Sequence, residues 1–279
     1  MTLQPTVSRK RSTQMVKKNT ANRALSATHI PEQFDLPGAT SNGGAGPFID
    51  YTLGVRRLGG AASVLFDPLK ASNAKYTGGF SIAIMVLLRP LGYLRPLDFS
   101  GACHDPYLAE KIGADRLPDA STVSRDLHRL EGEEERRKLR ELHGQMLKPA
   151  LLADGYPPYV ILDGDSSVEV VYGDYMEGAA KGYNPRARGR KSYHPLIFSD
   201  GVRDLPLNAW LRPGNCGDGS DFIKYYRETR DYLSTIGRPI IAVRLDRGFR
   251  GEVVYVELEN DEIDYAIKAA ETKRITEAK

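Results

Sequence analysis

Residues 239–245 (PIIAVRL) form a near-continuous apolar run that leads directly into Asp246. Such a run reads as a strand of the kind buried on both faces, which commits this part of the chain to a sheet covered by helices. Other elements of the second half fit around it. Residues 159–162 (YVIL) are a short apolar run ending in acids, and 168–172 (VEVVY) read as a further strand. Residues 193–198 (YHPLIF) are another, which Pro195 pushes toward an edge or a bulge. Residues 205–211 add one more. Beyond Asp218 or Ser220, the side chains of Phe222, Tyr225, Tyr226, Thr229, Leu233 and Ile236 fall on one face of a helix that Gly237 ends. A second helix over 251–260 and a last strand over 265–267 complete the alternation. The order predicts an α/β fold, a mixed and partly parallel sheet with packed helices and right-handed crossovers.

The first half reads differently. Residues 1–31 carry six Lys/Arg and no Asp or Glu. A basic, Ser/Thr-rich arm of this kind buries too little apolar surface to order itself. Its charge would cling to phosphate backbones, or serve only as a solubilising tail. Residues 36–47 (LPGATSNGGAGP) read as a linker, so 1–47 is expected to be a disordered basic arm and linker. Residues 48–150 read as a helical domain, suited to DNA binding, and 151–279 as the α/β domain. Within the helical part, 80–94 is apolar on all faces, as in a buried helix, with breakers at Pro90 and Pro96. Its longest apolar run, FSIAIMVLL, is nine residues, against the ~20 that span a bilayer. No membrane span or secretory leader is expected. Cys103 and Cys216 stand far apart outside any CxxC, so neither a disulfide framework nor a zinc site is encoded, and a reducing, cytoplasmic setting is expected.

Three segments carry candidate chemistry. The first is 117–130 (LPDASTVSRDLHRL), an Asp/Ser/Thr cap followed by apolar positions three or four apart. A short helix with Ser124, Arg125, His128 and Arg129 outside suits a helix-turn-helix reader; an ordinary capped surface helix has the same pattern. The second is a pair of acidic sites, each at the end of a strand. In Leu162-Asp163-Gly164-Asp165-Ser166-Ser167 the two aspartates, two apart, share a face if the strand continues. Asp246 ends the 239–245 run, and ligands of open α/β sheets gather at such carboxyl ends. Clustered carboxylates repel unless a cation is bound, and all-oxygen donors suit Mg²⁺ or Mn²⁺. The competing readings are a turn aspartate at Asp165 and a helix N-cap at Asp246. The third segment is 182–194 (GYNPRARGRKSYH). Its Arg186, Arg188, Arg190 and Lys191 can grip phosphates, and its tyrosines, Tyr193 among them, can stack on unpaired bases. His194 is counted with these DNA-binding residues, although a histidine in such a place is more often structural than catalytic.

Taken in order, DGDSS (163–167), GYNPRARGRKSYHPL (182–196), LRPGN (211–215), RLDRGF (244–249) and IDYAIKA (263–269) resemble the DDE transposases of bacterial insertion sequences, specifically the group-1 DDE domain. The resemblance is firm over 159–269 and looser from 48. It implies a ribonuclease-H-like fold and a carboxylate triad holding two Mg²⁺ or Mn²⁺ ions. It also implies cleavage of transposon ends and joining of the free 3′-OH to target DNA. Double-stranded DNA is the implied partner, a homodimer the implied assembly, and the bacterial nucleoid the setting. The first triad aspartate maps to Asp165, with Asp163 as fallback, and the second to Asp246. The triad's glutamate has no counterpart; Glu271 and Glu277 follow the last strand too closely. A C-terminally truncated, inactive chain is therefore expected. A non-catalytic end-binding relic or inhibitor is the alternative, and a ribonuclease-H-like nuclease of another type a third.

Overall fold

In the computed structural model, which describes residues 40–269 apart from 174, 186 and 218, the chain divides into two units between Leu142 and His143. The first is helical: α1 (Gly46–Asp50), α2 (Leu58–Phe66), α3 (Gly78–Leu88), α4 (Phe99–Ala102), α5 (Pro106–Ile112), α6 (Ala120–His128) and the start of α7 (Glu133–Leu151). Helix α3 has the all-round apolar character expected of it because nine of its eleven residues are buried. It ends at Leu88, short of the 94 expected, since the chain passes into a 3-10 turn, Arg89–Leu91, with Pro90 in it and Gly92 closing it at φ 94°. Gly78 and Gly79 allow α3 to press on α2: a Cβ on Gly79 would stand 2.4 Å from Ser63 Cα, and one on Gly78 1.9 Å from the Phe66 carbonyl oxygen.

The 36–47 linker expected from its Gly/Pro content is in part helical. Residues Gly43–Ala45 form a 3-10 turn and α1 follows at once. Their entry is fastened to Asp105, which accepts from the Thr40 hydroxyl and, at 2.8 Å, from Asn42 Nδ2. The basic arm at 1–31 lies outside the described residues. Among the described residues no single helix is long and apolar enough to cross a membrane.

The second unit is built on β1 (Val160–Ser166). After it come β2 (Glu169–Val170), β3 (Ala180–Lys181), β4 (Lys191–Tyr193), β5 (Leu196–Asp200), β6 (Leu205–Trp210), α8 (Phe222–Thr235), β7 (Ile240–Leu245), α9 (Glu252–Asn260) and β8 (Asp264–Ile267). Five strands make a mixed sheet in the order β6-β5-β1-β7-β8. Strand β5 runs antiparallel to both neighbours, while β1, β7 and β8 are mutually parallel. This is the ribonuclease-H-like arrangement: a hairpin meander followed by crossovers that carry helices. The remaining strands pair as a small sheet, β2-β4-β3. The 193–198 run is thus divided by Pro195: its start belongs to the small sheet and its end to the large one.

One face of the large sheet is the core. Val160, Leu162, Leu196, Phe198, Val243 and Leu245 pack with Phe222, Tyr226 and Leu233 of α8, and with Val254 and Leu258 of α9. Strand β7, expected to be buried on both faces, is buried on this one only. Ile240, Val243 and Leu245 are inside, whereas Ile241 is 42% exposed and Arg244 faces solvent. Its apolar run hid this because the pairing shifts by one residue between Val160 and Ile161, and Ile241 and Ala242 both stand off the core.

Helices α8 and α9 are clasped by two arginines. Arg227 grips Glu257 through Nε and Nη2 at 2.5 and 2.6 Å, and Arg230 Nη1 meets Asp261 at 2.6 Å, where the Tyr226 hydroxyl also donates at 2.8 Å. Burial alone would raise the Asp261 carboxyl, but the Arg230 and Tyr226 hydrogen bonds outweigh it and hold it below the ordinary range. A depressed carboxylate stabilises the fold above its unfolded pKa, about 3.9, and that contribution is lost as pH falls through the folded value. Asp261→Asn is therefore expected to cost about 1 kcal/mol at neutral pH and to flatten the acid limb of stability below pH ~4; urea denaturation at stepped pH measures both.

Candidate active site

Strands β1 and β7 pair in parallel with Leu162 opposite Val243, Asp163 opposite Arg244 and Gly164 opposite Leu245. The next residue on each strand is an aspartate, Asp165 and Asp246. Side chains alternate along a strand and neighbours in register share a face. The residues opposite the core are therefore Asp163, Asp165 and Arg244, and Asp246 follows directly after the end of β7. The pairing of Asp163 with Arg244 bears this out: Nε and Nη2 of the arginine each meet a different carboxylate oxygen at 2.5 Å. That hydrogen-bonded contact and the charge of Asp163 push the Arg244 pKa up.

Both outer aspartates are exposed and each is oriented by backbone. Asp165 Oδ1 accepts from the Ser166 amide at 2.8 Å. Asp246 Oδ1 accepts from the Arg247 amide at 2.6 Å, as N-cap of the 3-10 turn Arg247–Phe249. The N-cap reading of Asp246 is thus the one the structure shows. Gly164 explains the spacing of the two β1 aspartates. It faces the core, where a Cβ would stand 2.5 Å from Leu245 Cδ2 and 3.2 Å from Phe198 Cε1. Among the described residues no group of three His, Cys, Asp or Glu is placed to hold a metal. Two exposed carboxylates nonetheless fit a hard divalent ion, which is commonly held by one or two carboxylates together with phosphate oxygens and water.

Arg212 fixes the end of β1 and was not anticipated from the sequence beyond its place in LRPGN. It is buried at 2% exposure. Its Nη2 donates to Ser166 Oγ at 3.0 Å, its Nε to the His194 carbonyl at 3.0 Å, and its Nη1 to the Ser220 carbonyl at 2.7 Å. The residue after Asp165 is thereby tied to the strand leaving the small sheet. Arg244 was missed as well. The available signal was a charged residue inside an apolar run, two positions before Asp246 and so on its face.

The basic segment forms β4 and the loop before it. Arg188 and Arg190 are exposed, and Arg190 lies over the Tyr172 ring with 5.0 Å to the centroid. Lys191 and Tyr193 are half-buried, and the Tyr193 hydroxyl donates to the Glu177 carbonyl at 2.5 Å. His194, counted among the DNA-contacting residues, is instead interior: it is 6% exposed, with Nδ1 2.7 Å from the Cys216 carbonyl oxygen. Alternation turns it inward next to the outward Tyr193. Arg186 lies outside the described residues. In the helical unit Asp119 caps α6 as expected, accepting from the Thr122 amide at 2.8 Å. Arg125 and Arg129 are exposed on α6 and at its end, the latter 3.8 Å from Asp126.

Residues 24–279 match the family model described as Transposase DDE domain group 1. The chain belongs to that transposase family. No curated protein matches the sequence. Among solved structures it is similar to a pre-cleavage Mos1 transpososome, with 14% identity over 72% of this chain and 61% of that one and a TM-score of 0.29. A Mos1 mariner paired-end complex with Mn gives 14% identity, 70% and 60% coverage, and a TM-score of 0.27. A piggyBac transposase synaptic complex with hairpin DNA gives 14% identity, 88% and 46% coverage, and a TM-score of 0.34. This transposase-family chain spans about three fifths of the length of the Mos1 chains it matches.

Arg212 in this transposase domain is expected to be indispensable to the second unit. Arg212→Met would strip the interior carbonyls of His194 and Ser220 of their donor and should cost about 3 kcal/mol or more. Arg212→Lys, with a point charge in place of a planar fork, should recover only part of that. Urea denaturation of the two variants beside the parent measures the difference.

Proposed function

We propose that this chain carries the phosphoryl-transfer site of a DNA transposase of a bacterial insertion sequence, with Asp165 and Asp246 as the protein's ligands to Mg²⁺ or Mn²⁺. The observation that supports it is the register of β1 on β7, in which Gly164 pairs with Leu245 and an aspartate follows each. A divalent ion held by Asp165 and Asp246 would supply charge stabilisation for a displacement at a phosphodiester. The chain's own part is orientation: the Ser166 and Arg247 amides aim the carboxylates, and Arg212 holds the end of β1. Asp163 is the weaker candidate, because both of its oxygens are engaged by Arg244. In this reading a third donor comes from the substrate phosphate or from a carboxylate outside the described residues.

The partner is double-stranded DNA, both transposon ends and target, gripped through Arg186, Arg188, Arg190, Lys191 and Tyr193, with Arg125 and Arg129 of α6 as a second contact. The working form is a homodimer that holds two ends, in the bacterial cytoplasm at the nucleoid. A second reading, a non-catalytic end-binding protein, is supported by one observation, the lack of a three-donor cluster among the described residues.

Titration calorimetry with Mn²⁺ tests the site. Saturable binding is expected, lost in both Asp165→Ala and Asp246→Ala and retained in Asp163→Asn. Affinity should rise when duplex DNA is present. Binding that survives either alanine substitution would overturn the assignment. Salt-dependent DNA binding with no metal binding, with or without DNA, would leave the second reading.

A further inference from the structure

Residues 180–194 hold five Lys/Arg and no Asp or Glu, and the segment around them exposes three tyrosines. Tyr172 is 77% exposed, Tyr183 75% and Tyr175 100%. None of the three is part of the core. Tyr172 continues β2 past Val170, opposite Arg190: Val170 pairs with Ser192, and the Val171 amide donates to the Lys191 carbonyl at 3.1 Å. Arg190 accordingly stands over one face of the Tyr172 ring. A guanidinium held against one ring face fixes the ring while leaving its other face open, and it brings a phosphate-binding fork beside that face. Tyr193, in contrast, is tethered through its hydroxyl to the Glu177 carbonyl and is half-buried.

Positive charge alone would suit any polyanion. Exposed aromatic faces interleaved with it suit a polyanion that carries flat rings, and stacking on them is tolerant of base sequence. In an intact duplex those ring faces are already stacked on each other, so only unpaired bases can use the tyrosines. The distance is also telling. From Asp165 to Tyr172 the chain runs seven residues, at most about 25 Å, which is the rise of roughly seven nucleotides.

We infer that Tyr172, mounted under Arg190, forms a stacking platform for unpaired bases of a DNA end, within about seven nucleotides of Asp165, with Tyr183 as a second exposed ring on the same basic segment. The inference rests on the DNA-transposase reading above and adds to it the class of substrate: DNA with its strands separated next to the reacting phosphate.

Fluorescence anisotropy of the full chain tests it in the presence of EDTA, so that binding is read without cleavage. The probes are a labelled duplex of mixed sequence and the same duplex carrying an unpaired single-stranded extension. The parent is expected to bind the extended probe more tightly. Tyr172→Ala and Tyr183→Ala should each reduce that preference, by roughly 5- to 150-fold if a whole base stack is lost. Their affinity for plain duplex and its salt dependence should stay unchanged, and Tyr172→Trp should keep the preference. Circular dichroism and thermal melting of the variants should match the parent, since both rings are mostly exposed. Equal affinity for the two probes, or a preference that survives both alanine substitutions, overturns the platform while leaving DNA binding in place. Binding of neither probe overturns the DNA reading itself and the platform with it.

Discussion

The parallel pairing of β1 with β7 is the constraint on which the second unit depends. Strand side chains alternate with period two, so one residue of slippage would exchange the faces completely. A slipped β1 would turn Leu162 outward and carry Asp163 and Asp165 into the core; a slipped β7 would turn Val243 and Leu245 outward and carry Arg244 inward. Two opposed contacts pin the register. On the inside, Leu162, Val243 and Leu245 pack with Phe198, and Gly164 leaves just the space that Leu245 and Phe198 fill. On the outside, Arg244 clamps Asp163 through both oxygens. An exposed ion pair contributes little stability, about 0–1 kcal/mol. Its value is as a register mark: the pair forms only when the two strands are aligned as they are.

The small sheet depends on the same alignment at one remove. It is an excursion between β1 and β5, and the two strands it joins are themselves paired, Ser166 with Leu196. Its exit is secured by the Ser167 amide on the Pro195 carbonyl at 3.2 Å and by the His194 amide on the Arg212 carbonyl at 2.7 Å. Close backbone approach does the rest. A Cβ on Gly182 would stand 1.8 Å from the Gly214 carbonyl oxygen, and one on Gly214 2.3 Å from Ser192 Oγ. The basic segment is thus mounted on the carboxylate end of β1, and the glycines of GYNP and RPGN have a steric reason.

Legibility in the sequence followed periodicity. Strands β1, β5, β6 and β7, helices α8 and α9, and the cap of α6 all carry a repeat or a capping signal long enough to read. The small sheet was legible only in part: β2 lies within the 168–172 run and β4 ends where the 193–198 run begins, but β3 at Ala180–Lys181 has no signature at all. The DGD spacing correctly put Asp163 and Asp165 on one face, but it could not tell which one an arginine would occupy. That depended on a residue some eighty positions away, brought alongside only by the register. The burial of His194 and Arg212 was hidden for the same reason. Both sit in polar, Gly/Pro-rich segments whose composition suggests surface, and their hydrogen bonds run to carbonyls that sequence cannot place.

Two carboxylates that follow the ends of paired strands would be costly if brought together in a closed site, and exposure makes Asp165 and Asp246 tolerable here. Adjacent strands lie about 5 Å apart. Two unit charges at that distance repel by about 1 kcal/mol in water but by roughly 3 kcal/mol at an effective dielectric of 20. Facing solvent, Asp165 and Asp246 can stay near each other with little penalty and without a cation. Once a polyanion covers that face, water leaves, the repulsion grows several-fold, and the phosphates add more of the same sign. The neighbouring Asp163–Arg244 pair is neutral and offers no relief. On the proposed reading the cation therefore becomes necessary just when the DNA arrives, and metal affinity and substrate binding are coupled by electrostatics alone, with no moving part.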